Sequence, residues 1–425
     1  MLERLNKLFT VDDIENFKRK ILHISTHFEN SIILNSNHST TEYDLIFAYG
    51  LHSFLSSNKN SLKKLDDYVN HSADWLFGFF SYDLKNEIEP LKSENLLSHE
   101  IPNIYFFQPK VVITVKENTV DIKYISGINP DEELKKILNF KYIFKNHSLK
   151  DNLELRFNKS DYVKSVNNIK EHIRIGDVYE LNFCMDYHSN DIIIDPIKSY
   201  ISLNSLTESP MSAFFKLKSL HLLSSSPERF IKKKNNRIIT QPIKGTIRRD
   251  KDITNDLKNI NYLNNNSKEL SENHMIVDLV RNDLSRVAKK GTVKVKELSV
   301  LYSFKNVHQL ISTVEAEIRN STRISKILKS TFPMGSMTGA PKIRSMELIE
   351  KFEKTQRGLY SGAVGYISPK KDFDFNVVIR SIIYDSRRNN LSINVGSAIT
   401  FASDPEQEFN ECKLKAEAMI SSLKG

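Results

Sequence analysis

The segment QPIKGTIRR, residues 241–249, joins a strand-like run to a single lysine and a glycine. Gly245 allows a backbone conformation that other residues avoid, or a close approach by a ligand. Lys244 directly follows the strand-like residues 238–243, which makes it a candidate to point into a cleft. Burial there would lower the pKa of its amine toward the neutral, nucleophilic form. The alternative is a solvated lysine at a strand end, which is the common environment of lysine.

A hairpin is predicted just before this segment. Asn235 and Asn236 follow a lysine-rich run and form a turn-like pair, so strands over residues 228–232 and 237–243 should pair across them. Residues near the strand ends then lie side by side, which should bring Glu228 close to Lys244. A carboxyl group and a lysine would share one site. The alternative is a surface ion pair worth about 0–1 kcal/mol.

A helix is predicted over residues 272–288, where apolar side chains recur at helical spacing: Met275, Ile276, Leu279, Val280, Leu284 and Val287. Ser271 is its predicted N-cap. Glu272 then falls in the first turn, where the helix dipole favours a carboxylate. A structural role and a functional role for Glu272 both remain open.

A second helix is predicted over residues 405–423, with Asp404 as its N-cap. Glu408, Glu411 and Lys415 are spaced by three and four residues, so they share one face of this helix. Such a face suits a solvated ladder of ion pairs. It equally suits a metal ligand beside a cation that binds substrate.

Consecutive strands are predicted over residues 358–367, 375–384 and 391–400. Arg380 falls inside the second of these strands, among valines and isoleucines. A buried guanidinium needs an anionic partner, and either a substrate anion or a structural carboxylate would serve. Earlier in the chain, residues 160–175 predict a helix capped by Ser160, and residues 178–183 predict a strand that contains Glu180.

Composition indicates a globular protein. The chain has 425 residues, 40% of them hydrophobic and 27% charged, and its two cysteines cannot form a disulfide framework. We find neither a signal peptide nor an apolar run of about 20 residues, so we expect a cytoplasmic protein without membrane contact. The net charge of +9 comes from scattered lysines, which gives little support to nucleic-acid binding.

Two sequence regions are expected. Residues 1–150 alternate strand-like and polar stretches without a catalytic constellation, and Trp75 there is a predicted core aromatic. Residues 155–423 carry the motifs described above and form the predicted catalytic region. The polar residues 140–152, rich in lysine and asparagine, are a plausible seam between the two.

Taken together, several motifs resemble those of the chorismate-utilising enzymes, in the same order and spacing: GDVYELN, SSSPERF, PIKGT, ENHMIVDLVRNDLSRVA, FPMGSMTGAPK, YSGAVGYIS and DPEQEFNECKLKA. The resemblance runs from about Ser160 to Ala418, and it extends more weakly to WLFGFFSYDLKNEIE in the N-terminal third. It implies an α+β fold, an α/β sandwich of two large antiparallel sheets flanked by helices. Residues 1–150 would then contribute to the same sandwich.

The resemblance is strongest to members that aminate chorismate at C4, which yields 4-amino-4-deoxychorismate for p-aminobenzoate and folate synthesis. It implies that Lys244 attacks C2 of chorismate while the 4-hydroxyl leaves, with Glu228 as the general acid. Ammonia then attacks C4 and expels the lysine. The ammonia is expected from a separate glutaminase subunit, because the chain contains no amidotransferase motif.

The same resemblance implies the binding residues. Glu272 and Glu411 would hold Mg²⁺, which binds the ring carboxylate of chorismate. The remaining predicted substrate contacts are Arg380, Tyr366, Lys415, Thr246 and the backbone at Gly396, Ser397 and Ala398.

Three positions distinguish among members of this family. Anthranilate synthases have alanine where Lys244 stands, and a histidine that aids pyruvate elimination where Gln309 stands. The lysine indicates a chorismate-aminating member, and the absence of the histidine favours a product that keeps its pyruvyl group. The adjacent His308 should face the other way on its strand. Glu180 replaces the lysine base of isochorismate and salicylate synthases, and it also departs from the glutamine of many chorismate-aminating members. The role of Glu180 is therefore open.

Alternative functions are anthranilate synthesis, against which Lys244 and Gln309 argue, and a non-catalytic binding or regulatory subunit. The second is disfavoured because every catalytic and metal-binding residue that the resemblance implies is present. Nucleic-acid binding is a third possibility, for which salt-sensitive retention on DNA is the simplest test.

Overall fold

The structure is a computed structural model that describes residues 3–37, 42–144 and 153–424. Most of the predicted seam, residues 145–152, lies outside the described residues. The α-helices are α1 (Ile14–Ile24), α2 (Ser61–Ser72), α3 (Lys85–Ile88), α4 (Pro130–Leu138), α5 (Lys159–Arg174), α6 (Pro196–Thr207), α7 (Ile253–Asn265), α8 (Ser267–Ser285), α9 (Ile324–Thr331), α10 (Lys342–Phe352) and α11 (Pro405–Leu423).

The strands are β1 (Arg4–Thr10), β2 (Asn30–Asn35), β3 (Leu45–Ser57), β4 (Leu76–Phe80), β5 (Ile104–Lys116), β6 (Thr119–Ile125), β7 (Glu154–Leu155), β8 (Glu180–Ser189), β9 (Met211–Leu217), β10 (Leu220–Ser226), β11 (Arg229–Lys234), β12 (Arg237–Gln241), β13 (Ile243–Arg248), β14 (Lys294–Ser303), β15 (Val307–Glu317), β16 (Gly339–Ala340), β17 (Ala363–Ile367), β18 (Phe373–Val377), β19 (Ser381–Asp385) and β20 (Asn390–Ile399).

These strands form two large antiparallel sheets. The first has the order β1–β6–β5–β3–β2–β9–β10–β19–β20–β8, and β7 and β16 pair with the ends of β8. The second has the order β5–β4–β17–β18–β11–β12–β15–β14, and β13 pairs with β15 beyond the end of β12. The fold predicted from the family resemblance is therefore confirmed.

The long strands β3 and β5 connect the two sheets. The second half of β5 pairs with β6 in the first sheet, whereas its first half pairs with β4 in the second. The register between β3 and β5 shifts between Leu51 and Ser53, next to Gly50, whose φ is +74°. A bulge of this kind bends a strand, which lets one pair of strands serve both sheets.

Three apolar clusters fill the spaces between the layers. The cluster between the sheets is rich in aromatic side chains, and Trp75, 7% exposed, stacks there on Phe77 as the sequence predicted for a core aromatic. A second cluster joins the first sheet to α1, α4, α5, α6 and α11. The third joins the second sheet to α2, α8 and α9. The result is a sandwich with helices on both outer faces.

Strands from both sequence regions share the sheets. Strand β2, from the N-terminal region, pairs with β9, and β4 pairs with β17. Backbone hydrogen bonds in both sheets therefore join strands from residues 3–144 to strands from residues 153–424.

Several local predictions are confirmed. The hairpin of β11 and β12 turns at Asn235 and Asn236, since Lys234 pairs with Arg237. Helix α11 begins after Asp404, whose side chain accepts hydrogen bonds from the next backbone N–H groups. None of the described helices is long and apolar enough to cross a membrane.

Other local predictions are wrong. Asn158, and not Ser160, caps α5. Helix α8 starts at Ser267 with Asn266 as its N-cap, so Glu272 lies beyond the first turn and the helix dipole does not account for its position. The strand predicted over residues 375–384 is interrupted, because β18 ends before residue 378 and β19 begins at residue 381.

Candidate active site

A bulge in β13 positions Lys244. Ile243 pairs with Ile311 and Thr246 pairs with Gln309, so β13 carries one residue more than β15 over this interval. Gly245 within the bulge has φ of +83°, a conformation that suits glycine. A bulge redirects the side chains beside it, which explains how Lys244 leaves the plane of the ladder.

Lys244 forms an ion pair with Glu180 across the site. Its Nζ atom lies 2.6 Å from Glu180 Oε1, and the two side chains are 11% and 1% exposed. Strand β16 holds Glu180 in place: Ala340 pairs with Glu180, and a Cβ on Gly339 would lie only 2.1 Å from the Glu180 carbonyl oxygen. Lys244 belongs to the second sheet and Glu180 to the first, so the pair spans the sandwich.

The lysine is held in its charged form. Burial by itself would lower the pKa of Lys244, but the charges of Glu180, Glu272 and Glu228 outweigh burial and raise the pKa above its usual value. Burial acts on the pKa in the expected direction, but the surrounding carboxylates decide the protonation state of this amine. A nucleophilic role for Lys244 would therefore require a group that takes its proton.

Glu228, in contrast to Lys244, is stabilised in its neutral form. This residue belongs to the connection between β10 and β11, and it is 4% exposed. Burial raises its pKa to about 7, although the hydrogen bond from Ser336 and the charge of Lys244 both act to lower it. Ser336 Oγ donates to Glu228 Oε1 over 2.6 Å. A carboxyl group that keeps its proton near neutral pH can act as a general acid.

Glu272, on α8, is a second buried carboxyl group. Burial raises its pKa to about 7, and its Oε1 atom has no hydrogen-bond partner among the described residues. The nearest ammonium is that of Lys268, 3.9 Å away. An unpartnered carboxylate oxygen of this kind can accept a metal ion or a substrate donor.

Glu411 lies on α11 and is more exposed than Glu272. Its Oε1 atom is 2.6 Å from Lys415 Nζ, and the Lys415 charge overcomes desolvation and lowers the pKa of Glu411. Lys268 bridges from α8 to Glu408 on the same face of α11, at 3.3 Å. Among the described residues, no three acidic, histidine or cysteine side chains are grouped closely enough to bind a metal by themselves.

Arg380 lies in the interruption between β18 and β19, and not within a strand. Its φ is +51°, an uncommon conformation for a residue with a side chain. Burial lowers the pKa of its guanidinium, while Tyr360 and Glu411 act to raise it. No carboxylate among the described residues pairs with Arg380, which favours a substrate anion over a structural partner.

The end of β20 leaves an open edge near Lys415. The ladder of β20 with β19 ends at Ile393, whereas its ladder with β8 continues past Gly396. Lys415 Nζ donates to Gly396 O over 3.0 Å. Ser397 Oγ contacts Tyr162 and Ala398 O accepts a hydrogen bond from Ser403 Oγ, so these two groups are engaged as well.

Thr246 and Gln309 face each other between β13 and β15. Gln309 Nε2 donates to Thr246 Oγ1 over 3.2 Å, and Gln309 Oε1 is buried without a partner among the described residues. His308 faces away from Gln309, as predicted, and hydrogen-bonds Asp256 on α7 at 2.9 Å. It therefore does not replace the histidine whose position Gln309 occupies.

The structure does not bring Tyr366 to this site, so that prediction is wrong. Tyr366 lies against Trp75, with ring centroids 5.4 Å apart, in a separate cavity that Tyr43 also lines. Sequence reasoning missed Tyr360, a buried tyrosine whose hydroxyl lies 3.8 Å from Cys184 Sγ and which interacts electrostatically with Arg380. Both tyrosines belong to the motif YSGAVGYIS, and only the fold distinguishes their positions.

The chain matches a family described as chorismate binding enzyme over residues 10–421. A probable chloroplastic aminodeoxychorismate synthase of Oryza sativa subsp. japonica is 33% identical over 87% of this chain, which spans 46% of that relative's length. Aminodeoxychorismate synthase component 1 of Escherichia coli K12 is 31% identical over 85% of this chain and 81% of the relative. Anthranilate synthase component 1 of Aquifex aeolicus is also 31% identical, over 87% of this chain and 79% of that relative.

Solved structures share the fold. Anthranilate synthase component I from Streptococcus pneumoniae TIGR4 superposes with a TM-score of 0.77 at 23% identity, covering 88% of this chain and 91% of the other. The menaquinone-specific isochorismate synthase of Escherichia coli superposes with a TM-score of 0.81 at 16% identity, covering 100% and 95%.

Proposed function

The chain belongs to the chorismate binding enzyme family, and from this premise we propose that it acts as an aminodeoxychorismate synthase component I. It would aminate chorismate at C4 to 4-amino-4-deoxychorismate, as a step toward p-aminobenzoate and folate. The observation that carries the proposal is Lys244, a buried lysine surrounded by acidic groups, beside a carboxyl group, Glu228, that retains its proton near pH 7.

The residues divide the reaction between them. Lys244, once neutral, attacks C2 of chorismate, the ring double bonds shift, and the C4–O bond breaks. Glu228 donates its proton to the departing hydroxyl, which leaves as water. Ammonia then attacks C4, the double bonds shift back, and the lysine leaves C2. The pyruvyl group takes no part, so the product keeps it.

Substrate binding is assigned to the cations around the cleft. Arg380, which has no anionic partner among the described residues, and Lys415 at the open edge of β20 would bind one carboxylate of chorismate. Backbone N–H groups of residues 396–398 and the hydroxyl of Thr246 would complete these contacts. Placing an anion against the half-buried guanidinium of Arg380 offsets the cost of removing both charges from water.

Mg²⁺ is the proposed cofactor. Carboxylate oxygens are the donors that Mg²⁺ prefers, and the unpartnered Oε1 atom of Glu272 fits this use, with Glu411 as the second ligand. Because the described residues offer no third acidic ligand, substrate oxygens and water would complete the shell. When bound, the ion supplies positive charge to the ring carboxylate.

A separate glutaminase subunit is the proposed source of ammonia. The Escherichia coli and Bacillus subtilis relatives are both named component 1 of their enzyme. We extend that arrangement to this chain.

The test is mass spectrometry of the products formed from purified protein, chorismate, Mg²⁺ and ammonium at mildly alkaline pH. An aminated product that retains the pyruvyl group is expected. Anthranilate with pyruvate would instead support the alternative represented by the Aquifex aeolicus relative. Absence of any product, also after addition of a glutaminase subunit, would support a non-catalytic role.

A further inference from the structure

The proposed attack by Lys244 needs a neutral amine, yet the site holds this lysine as an ammonium. The acidic groups that act on it come from four parts of the fold: Glu180 from β8, Glu228 from the β10–β11 connection, Glu269 and Glu272 from α8, and Glu411 from α11. Within the described residues, Lys244 Nζ has a hydrogen-bond partner in one of them, Glu180. That contact makes Glu180 the candidate proton acceptor.

Glu180 is well placed to receive a proton. Its side chain is 1% exposed, and its Oε2 atom has no partner among the described residues. No second described donor therefore competes with Lys244 for the carboxylate. Pairing of Glu180 with Ala340, and the close approach of Gly339, fix its backbone. The proton has only to cross an existing 2.6 Å hydrogen bond.

Glu228 is unsuited to the same task. Its Oε1 atom already accepts the hydrogen bond from Ser336. It must also begin the reaction protonated in order to act on the leaving hydroxyl, and a protonated carboxyl group cannot accept another proton. Of the two carboxyl groups beside this lysine, Glu228 is suited to donate a proton and Glu180 already accepts the lysine hydrogen bond, so the two can divide acid and base roles between them.

We propose that Glu180 is the proton acceptor of Lys244: it takes the ammonium proton before the attack on C2 and returns it after the lysine has left. This inference rests on the proposed function. In the forward step the Nζ–H bond breaks, the carboxylate becomes a carboxylic acid, and the freed lone pair forms the Nζ–C2 bond. Glu228 supplies the proton that leaves with the C4 hydroxyl as water.

The return step balances the protons. Ammonia forms the C4–N bond and becomes the ammonium group of the product, and the Nζ–C2 bond breaks with its electron pair on Nζ. The lysine amine then recovers the proton from Glu180. Glu228 regains its own proton from solvent, so the cycle consumes chorismate, ammonia and one proton and releases water. No oxidant or reductant is required.

The experiment measures adduct formation with Glu180→Gln. The variant and the wild type are mixed with chorismate and Mg²⁺ without ammonium, quenched over time, and analysed by intact and peptide mass for addition of chorismate minus water at Lys244. The amide can still accept a hydrogen bond but not a proton. Adduct formation should be about 100-fold slower at pH 7, the lower range of general-base effects.

The pH dependence separates proton transfer from positioning. In Glu180→Gln, solvent must remove the Lys244 proton. The difference in adduct-formation rate between this variant and the wild type should therefore narrow between pH 7 and pH 9. Glu180→Asp keeps a carboxylate and should retain the wild-type pH dependence at a lower rate. Because it tests the same carboxylate with a different change, it keeps the test valid if Glu180→Gln does not fold. Glu297→Gln, a change of the same kind at an acceptor for Tyr302 on β14, is the matched control and should behave as wild type.

The outcomes distinguish the two proposals. If Glu180→Gln forms the adduct at the wild-type rate, or faster near neutral pH, Glu180 only orients or restrains the lysine and the inference is overturned while the covalent mechanism stands. If the wild type turns over chorismate without any adduct at Lys244, the proposed covalent chemistry itself fails. A Glu180→Asp profile that follows that of Glu180→Gln also contradicts proton acceptance.

Discussion

Lys244 and Glu180 are separated by 64 positions in the chain and belong to different sheets, yet their charged atoms lie 2.6 Å apart. The pair is nearly inaccessible to water. Among the described residues Glu180 has no other ion-pair partner, and removing one partner of a buried pair typically costs about 3–5 kcal/mol. The ion pair of Lys244 and Glu180 therefore joins the two sheets at this end of the sandwich.

Replacement of Lys244 by methionine tests the nucleophile. Ammonia-dependent product formation should fall by at least about 10³-fold, because no other described amine occupies this position. The melting temperature should also fall, because Glu180 loses its counter-ion. The double variant Lys244→Met with Glu180→Gln should recover the melting temperature but not the activity. Full turnover in Lys244→Met would rule out the covalent mechanism.

Glu228 should set the alkaline limb of the pH–rate profile. A general acid must be protonated, and its pKa is raised to about 7, so the rate should fall as pH rises above about 7. Glu228→Gln should lower kcat by about 10²-fold or more and remove that limb. Rates measured from pH 6 to pH 9 with saturating chorismate check this. A limb that persists in Glu228→Gln assigns it to another group.

Glu228 should also make stability depend on pH. Its folded pKa of about 7 exceeds the usual value of 4.5, so its contribution to stability is complete below about 4.5 and is lost as pH rises through about 7. The free energy of unfolding should drop by at most about 3 kcal/mol from this group. Denaturant titrations give the free energy of unfolding at pH 5 and at pH 8. The difference between these two values should be smaller for Glu228→Gln than for the wild type.

Arg380 should control chorismate binding. Arg380→Gln removes a half-buried charge that has no ion-pair partner among the described residues, so folding should be unimpaired or improved, while KM for chorismate rises by about 10- to 100-fold. Arg388→Ala is the control, since Arg388 is an exposed partner of Glu100. Its KM should stay within about twofold of the wild type. An unchanged KM in Arg380→Gln would exclude Arg380 from the substrate site.

Gly245→Ala should damage both stability and activity. At φ of +83° a Cβ costs about 1–2 kcal/mol, and it would also lie 3.2 Å from Glu269, Leu263 and Leu310. Gly291→Ala has a similar φ of +78° but meets nothing within 4 Å. Both variants should lose stability in thermal unfolding, whereas kcat should fall only in Gly245→Ala. Equal kcat values would show that the bulge does not position Lys244.

Local signals in the sequence predicted much of the framework. The asparagine pair after Lys234 predicted the turn that returns β12 along β11, and the Asp404–Pro405 step predicted the start of α11. These features depend on backbone preferences of neighbouring residues. The start of α8 was misplaced because Asn266 and Ser271 are both good caps, and the choice depends on packing outside the helix.

Arg380 and Tyr366 show where sequence patterns failed. An apolar run around Arg380 reads as one strand, but the chain leaves the ladder there, with Arg380 in the left-handed region, and enters a different pairing at residue 381. Tyr366 and Tyr360 stand in the same motif, and nothing in their spacing says which one faces the cleft. Strand partners decide that, and they come from distant segments.

The sequence by itself determined the family and the hairpin beside Lys244, and it marked Glu228, Glu272 and Glu411 as candidate site residues. Only the tertiary structure decided the protonation states on which the chemistry depends. The reason is physical: a pKa reflects the sum of burial and nearby charges, and here the charges arrive from β8, the β10–β11 connection and α8. Their distances from Lys244 are fixed by how two sheets and their helices pack, which no local pattern of residues encodes.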